Sequence, residues 1–190
     1  YSVPMWAAQE LFDRAKEREI HIQTYADTHV ITIAEDEAIK YYTRFIHMPY
    51  VVGNNLEKEL SYAPYKVLTI DLDNREKLER FREEIENSKL AEEITCAFSN
   101  NMYLEFYNKN AGKGNALVNL CKALNVLEKN AVAAGDEEND ISMIEAAGVG
   151  VAMANANPCL KDHADFITKN DNDHDGMIEV IDRIIQWHWE

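Results

Sequence analysis

Acidic residues directly follow a short apolar run in the second half of the chain. The run AVAAG ends at Gly135, Asp136 comes next, and Asp140 lies four residues further along. In open α/β sheets ligands bind at the carboxyl ends of the strands, and residues four apart on a helix share one face. Two carboxylates in this arrangement suit Mg²⁺, which takes one or two protein carboxylates together with waters and substrate phosphate. The same residues equally fit a helix N-terminus, where acidic side chains cap the first turn.

Two further side chains are suited to binding an anion beside these carboxylates. Lys113 lies in GKG at the start of a predicted helix, where a positive charge interacts unfavourably with the helix dipole. Contact with an anion bound at the strand ends would explain that position. Asn139 lies between the two aspartates and can donate a hydrogen bond to a phosphate oxygen. The combination favours a metal and phosphate site over a simple helix cap.

The elements around these residues alternate between helix and strand. The patterns predict helices over 113–126, 136–147, 157–164 and 176–189, and strands over 130–135, 148–153 and 165–169. Alternation of this kind, with small apolar residues in the strands, predicts a parallel sheet covered by helices on both faces. AVAAG and GVGVAM have the composition of central strands, yet this half supplies only about three strands. We therefore expect that part of the sheet is missing.

The first half of the chain has a different order of elements. The patterns predict helices over 4–19, 35–46 and 74–88, and strands over 20–26, 29–34, 65–71, 93–99 and 102–108. Asp27 and Thr28 separate two β-branched runs, which indicates a hairpin. Helices combined with a mainly antiparallel sheet predict an α+β unit, and the segment NKNAG over 108–112 is a plausible linker to the second half.

Composition restricts the class of partner. The chain has 190 residues, 46% apolar content and a formal charge of −15, which predicts a globular protein that does not bind nucleic acid. It contains no apolar run of about 18 residues, so we expect no membrane span. The N-terminal residues do not have the pattern of a signal peptide, and the three widely spaced cysteines indicate reduced thiols and a cytoplasmic location. A small phosphorylated molecule is still compatible with the negative charge of the protein if a cation or a lysine neutralises the phosphate.

The motifs of the second half together resemble the C-terminal half of the Cof-type, subclass IIB, phosphatases of the haloacid dehalogenase superfamily. That family has a lysine before a helix, then G-D-x-x-N-D-x-x-M, A-M-x-N-A and a closing D-G. The matching residues are Lys113, 135–143, 152–156 and Asp175-Gly176. The first half is similar to the family's cap domain. The resemblance implies an α/β fold with an incomplete Rossmannoid parallel-sheet core over 109–190 and an α+β cap, which selects substrate, over 1–108.

The resemblance also implies roles for the four polar residues. Asp136 would bind Mg²⁺ directly, and Asp140 would be a second ligand, directly or through water. Lys113 would be catalytic, neutralising the nucleophile and the transferring phosphoryl group, and Asn139 would help to position phosphate. The activity implied is Mg²⁺-dependent hydrolysis of small phosphorylated metabolites, such as sugar phosphates, through an aspartyl-phosphate intermediate.

The chain departs from the family at the nucleophile. Family enzymes begin with a strand that ends in D-x-D-G-T, and this sequence contains no such motif. Asp71 and Asp73 follow an apolar strand, but Asn-Arg replaces Gly-Thr and the segment lies within the cap pattern. We interpret it as a strand end before a helix capped by Asp73 or Asn74. We therefore expect a C-terminal portion of an enzyme whose missing N-terminal segment, about 80 residues long, carries the nucleophile, and no activity from this portion alone.

An acidic loop near the C-terminus suggests an alternative function. The run DNDHDGMIEVID places Asp171, Asp173, Asp175 and Gly176 at the spacing of an EF-hand calcium loop, with Asp182 at the last position. The residues before it have a strand pattern, whereas an EF-hand requires a helix there. A non-catalytic binding module that takes Ca²⁺ through residues 171–182 is the alternative hypothesis.

Overall fold

The computed structural model describes residues 1–186 of the chain. The chain forms two compact units, Tyr1–Asn110 and Ala111–Glu190. Within residues 1–186 each unit has its own sheet, with six strands in the first and three in the second. Among the described residues no helix combines the length and apolar character needed to cross a membrane.

The first unit is a mixed sheet with helices. Its elements are α1 (Met5–Glu17), β1 (His21–Tyr25), β2 (Val30–Thr32), α2 (Glu37–Ile46), β3 (Tyr50–Val52), α3 (Leu56–Glu59), β4 (Lys66–Ile70), α4 (Arg75–Glu86), β5 (Ile94–Asn100) and β6 (Tyr103–Asn108). The strand order is β3-β2-β1-β4-β6-β5. All neighbouring pairs are antiparallel except β2 and β3. The predicted hairpin of β1 and β2 is present, with Gln23 opposite Thr32.

The larger of two apolar clusters in the first unit lies between helices and the sheet, and a smaller one contains Ala38, Leu68 and Ile70. Buried residues of α1 and α4 pack with those of the central strands, and they include Phe12, Phe81 and Phe106. The rings of Phe81 and Phe106 meet edge to face with centroids 5.8 Å apart. Alternate residues of these strands face the core, as expected from the period of two along a β-strand.

The patterns predict no helix or strand over 47–64, but the structure forms two short elements there. They are β3, which pairs in parallel with β2, and the short helix α3. Val51 and Val52 are exposed, so β3 lacks the buried alternate positions that identify a strand in a sequence. Its hydrogen bonds to β2 are contacts between distant parts of the chain, which no local pattern reports.

The second unit is a parallel α/β arrangement, as predicted. Its elements are α5 (Lys113–Leu124), β7 (Val132–Gly135), α6 (Ile141–Ala146), β8 (Val149–Ala152), α7 (Pro158–Lys161), β9 (Phe166–Ile167) and α8 (Gly176–Gln186). The three strands are parallel in the order β7-β8-β9. Of the two runs predicted as central strands, GVGVAM forms the middle strand and AVAAG an edge of the described sheet. Positions 187–189 of the predicted closing helix lie outside the described residues.

The helix predicted from residue 136 begins five residues later, at Ile141. Residues 138–140 form a short 3₁₀ turn, and Glu137 and Asp140 form a capping box around it. In a capping box each side chain accepts a hydrogen bond from the backbone of the other residue, which satisfies donors that a helix terminus leaves unpaired. The acidic residues after β7 therefore shape a turn, and the helix follows only when that turn is complete.

Candidate functional site

The candidate site lies at the carboxyl end of β7. Gly135 is the last residue of the strand, and the chain then turns sharply so that Asp140 returns to it. A Cβ atom at Gly135 would lie 2.5 Å from the Cβ atom of Asp140 and 2.7 Å from its Oδ2 atom. Real Cβ atoms do not approach so closely, so glycine is required for the turn to close against the strand end.

Asp140 is the buried centre of this turn. Its side chain is only 7% exposed. Oδ2 accepts hydrogen bonds from the backbone N–H groups of Asp136 at 3.1 Å and Glu137 at 3.2 Å. Oδ1 pairs with the ammonium group of Lys113. A buried carboxylate of this kind is stabilised by charge-assisted hydrogen bonds and in return fixes the backbone to which it binds.

Lys113 reaches the turn from the first residue of α5. Its Nζ atom donates to Oδ1 of Asn139 at 3.2 Å as well as to Asp140. Close packing of α5 against α6 brings it there, because the N–H of Gly114 donates to Oγ of Ser142 at 3.1 Å. A Cβ atom at Gly114 would lie 2.3 Å from the carbonyl oxygen of Ser142. The lysine side chain is 48% exposed, so its charge is accessible to an anion.

Asp136 is held at its backbone and at its carboxylate. Its carbonyl oxygen accepts from the N–H of Asn157 at 2.8 Å, and its Oδ2 atom accepts from the side-chain amide of Asn172 at 3.0 Å. The backbone N–H of Asn172 in turn donates to Oδ1 of Asn155 at 3.1 Å. Residues that follow β7, β8 and β9 therefore meet at one edge of the sheet, where parallel strands present their carboxyl ends.

The structure thus brings the four predicted site residues together. Lys113 contacts Asn139 and Asp140, and Asp140 is hydrogen-bonded to the backbone of Asp136. The sequence patterns assign no role to Asn155 or Asn172. Asn155 lies in the matched A-M-x-N-A motif, which was the available signal for it. Asn172 lies in the acidic loop, whose calcium-like spacing drew attention to the aspartates instead.

The acidic loop binds its own backbone. Oδ1 of Asp171 accepts from the N–H of Asp173 at 3.1 Å and contacts Nδ1 of His174 at 2.6 Å. The hydrogen bond with His174 lowers the pKa of Asp171 below its usual value. The element before the loop is the strand β9. Within residues 1–186 no group of three or more His, Cys, Asp or Glu side chains is placed to hold a metal ion. The calcium-binding alternative is therefore not favoured.

Asp71 in the first unit has a structural role. Its Oδ1 atom accepts from the backbone N–H groups of Asp73 at 3.1 Å and Asn74 at 2.8 Å. Asn74 caps α4, since its side chain accepts from the N–H of Lys77 at 3.2 Å. The residues after β4 therefore form the capped helix start that the sequence suggested, with Asn74 as the cap.

Comparison with known proteins gives a family match over most of the chain. Residues 3–181 match the family model of haloacid dehalogenase-like hydrolases. A phosphatase of Bacillus subtilis, YwpJ, is 43% identical over 84 residues, which cover 44% of this chain and 30% of that protein. The 5-amino-6-(5-phospho-D-ribitylamino)uracil phosphatase YwtE of the same organism is 34% identical over 121 residues, which cover 64% of this chain and 41% of that protein.

The fold comparison extends to nearly all of the chain. The crystal structure of a haloacid dehalogenase-like hydrolase from Bacteroides thetaiotaomicron has a TM-score of 0.76 and 28% identity. That similarity covers 96% of this chain and 68% of the solved chain. By contrast, the chain spans less than half the length of these two curated relatives.

Proposed function

This chain belongs to the haloacid dehalogenase-like hydrolases, and from this membership we propose that it forms part of a phosphatase that hydrolyses small phosphorylated metabolites, such as sugar phosphates. The observation that carries the proposal is the contact of Lys113 with both Asn139 and Asp140 beside Asp136 at the end of β7. A lysine, an amide and two carboxylates at one strand end match the needs of phosphoryl transfer, which depends on positioning and on neutralising phosphate charge.

The donor set fits Mg²⁺. The carboxylates of Asp136 and Asp140 are hard oxygen ligands, and Mg²⁺ binds to one or two carboxylates while keeping several waters. Asp136 is the better placed direct ligand, because both oxygens of Asp140 already bind the turn and Lys113. We assign Asp140 to the metal as a second ligand, directly or through water. When bound, the ion supplies positive charge beside the phosphoryl oxygens.

The chain's own residues would bind and orient the phosphoryl group. Lys113 is half-exposed and adds a positive charge to neutralise the phosphate and the nucleophile. Asn139 accepts from Lys113 through Oδ1, so its amide nitrogen is the group that would donate to a phosphate oxygen. Asp140 orients Lys113 and keeps the turn closed.

We further propose an aspartyl-phosphate intermediate whose nucleophilic aspartate comes from a segment of the same enzyme outside the printed sequence. Asp71 is the nearest match to a nucleophile motif, and its contacts with its own turn argue against it. β7 lies at an edge of the described sheet, and a parallel strand of small apolar residues favours a further neighbour there. The first unit would be the cap domain that selects substrate. We propose a cytoplasmic location, which the three widely spaced cysteines of the sequence favour.

The test uses protein expressed from the reading frame of this chain, extended to include any in-frame DNA upstream of Tyr1. Activity is measured on p-nitrophenyl phosphate and on a panel of sugar phosphates, with Mg²⁺ and with a chelator. We expect Mg²⁺-dependent turnover that is lost on Asp136→Ala. The printed chain alone should give no turnover. Turnover by the printed chain that is lost on Asp71→Asn, or turnover of the extended chain that survives Asp136→Ala, would contradict the assignment.

A further inference from the structure

We propose that Asn172 is a positioning residue for Asp136 and that it orients this carboxylate for the metal ion. The inference rests on the proposed function, because it concerns the ligand assigned there. It assigns the acidic loop after β9 a part in the proposed Mg²⁺ site, whereas the sequence pattern of that loop suggested only calcium binding.

The contact that carries the inference joins two distant parts of the chain. The side-chain amide nitrogen of Asn172 donates to Oδ2 of Asp136 at 3.0 Å, across 36 positions of sequence. An amide that takes up one oxygen of a carboxylate limits its rotation and leaves the other oxygen, Oδ1, for a cation. Hydrogen bonds of this kind to a metal ligand orient it and raise its affinity for the ion.

The loop holds Asn172 in place independently of its side chain. Its backbone N–H donates to Oδ1 of Asn155 at 3.1 Å, which ties the loop to the residues after β8. The N–H of Gly176 donates to the carbonyl oxygen of Asp171 at 2.9 Å and closes the loop. At Gly176 a Cβ atom would lie 2.4 Å from the carbonyl oxygen of Asn170, so only glycine fits there. These contacts use the backbone, so we expect them to persist when the amide of Asn172 is removed.

The amide is suited to this task because it is neutral. A lysine at position 172 would also donate to Asp136, but its charge would compete with the cation for the carboxylate. An aspartate there would have no donor for Oδ2 and would repel Asp136 in the absence of metal. Asparagine donates a hydrogen bond and leaves the negative charge of Asp136 available.

The binding experiment uses the full chain and titrates Mg²⁺ by calorimetry. We expect Asn172→Ala to weaken Mg²⁺ binding by at least about tenfold, with no change in the thermal unfolding midpoint of the metal-free protein. Asn170→Ala is the matched control in the same loop. The described contact of Asn170 is made by its backbone carbonyl oxygen, which accepts from the hydroxyl group of Thr168 at 2.6 Å, so the substitution leaves that contact in place. That variant should bind Mg²⁺ like the parent chain. Equal affinities for the parent chain and Asn172→Ala would overturn the inference.

A second measurement tests the contact without metal. In the metal-free protein the side-chain amide signal of Asn172 in NMR spectra should shift when Asp136 is changed to alanine, and the signal of Asn170 should not. An unshifted Asn172 signal would overturn the inference. Failure of the parent chain to bind Mg²⁺ would overturn the proposed metal site and the affinity claim together, while the NMR result would still decide whether Asn172 holds Asp136.

Discussion

Removing the carboxylate of Asp140 should destabilise the second unit far more than removing that of Asp136, although both residues belong to one motif. In Asp140→Ala the N–H groups of Asp136 and Glu137 lose their acceptor, and Lys113 loses its partner. A hydrogen bond to a charged group contributes about 1.5–3 kcal/mol when it is buried. The two N–H groups are only partly buried, so water can replace part of each bond.

We therefore expect the two hydrogen bonds together to contribute about 2–3 kcal/mol. The ion pair adds less than about 1 kcal/mol, because half of the lysine side chain is in solvent. Asp136→Ala removes one exposed hydrogen bond, from Asn172, and its expected cost is within about 0.5 kcal/mol.

The assay is native-state hydrogen exchange read by mass spectrometry, because it reports on each unit separately. Peptides from 131–147 report on the turn, and peptides from 94–108 in the other unit are the internal control. A loss of 2–3 kcal/mol corresponds to about 30- to 150-fold faster exchange around the turn in Asp140→Ala. Similar exchange rates in Asp140→Ala and Asp136→Ala would refute the separation of their roles.

Three further predictions concern single residues. Lys113→Met should lower kcat of the extended, active enzyme by about 100-fold or more but cost less than about 1 kcal/mol of stability, because the half-exposed lysine contributes charge rather than packing. Gly114→Ala should destabilise the second unit by about 1–3 kcal/mol in thermal unfolding, because its Cβ atom would meet the carbonyl oxygen of Ser142 at 2.3 Å. Burial raises the pKa of Asp36, but its hydrogen bonds, the largest from His21, outweigh that effect and lower the pKa overall. This carboxylate therefore stabilises the first unit above its unfolded pKa of about 3.9, and the contribution is lost as the pH falls through the lower folded value. The Asp36→Asn variant should not show this loss of stability on acidification. A stability profile against pH that is identical to that of the parent chain would contradict the prediction.

The parts of the fold that follow from local pattern were predictable from the sequence. The β7, β8 and β9 segments alternate with helices, and that alternation is sufficient to predict a parallel sheet. Lys113 was predictable as a site residue because its charge is unfavourable at a helix start unless an anion is close. β3 was not predictable, since its three residues have a partly exposed pattern and depend on pairing with β2.

The contact between Asn172 and Asp136 could not be predicted from the sequence either. Nothing in the composition of the acidic loop indicates that Asn172, rather than one of the aspartates, faces the end of β7. That outcome depends on the path of the loop after β9, which the Asn155 contact and the closure at Gly176 determine.

The two aspartates show why spacing alone assigned them similar roles. Four residues apart on a regular helix, both carboxylates would have faced the same crevice as equivalent ligands. In the structure the intervening residues form a 3₁₀ turn, and Asp140 folds back to bind the N–H of Asp136 itself. The buried carboxylate thus positions the backbone of the other, and Asn172 positions that residue's side chain. Asp136 is therefore held from two sides while its own carboxylate should contribute little to folding, which is the arrangement expected of a group kept available for a ligand.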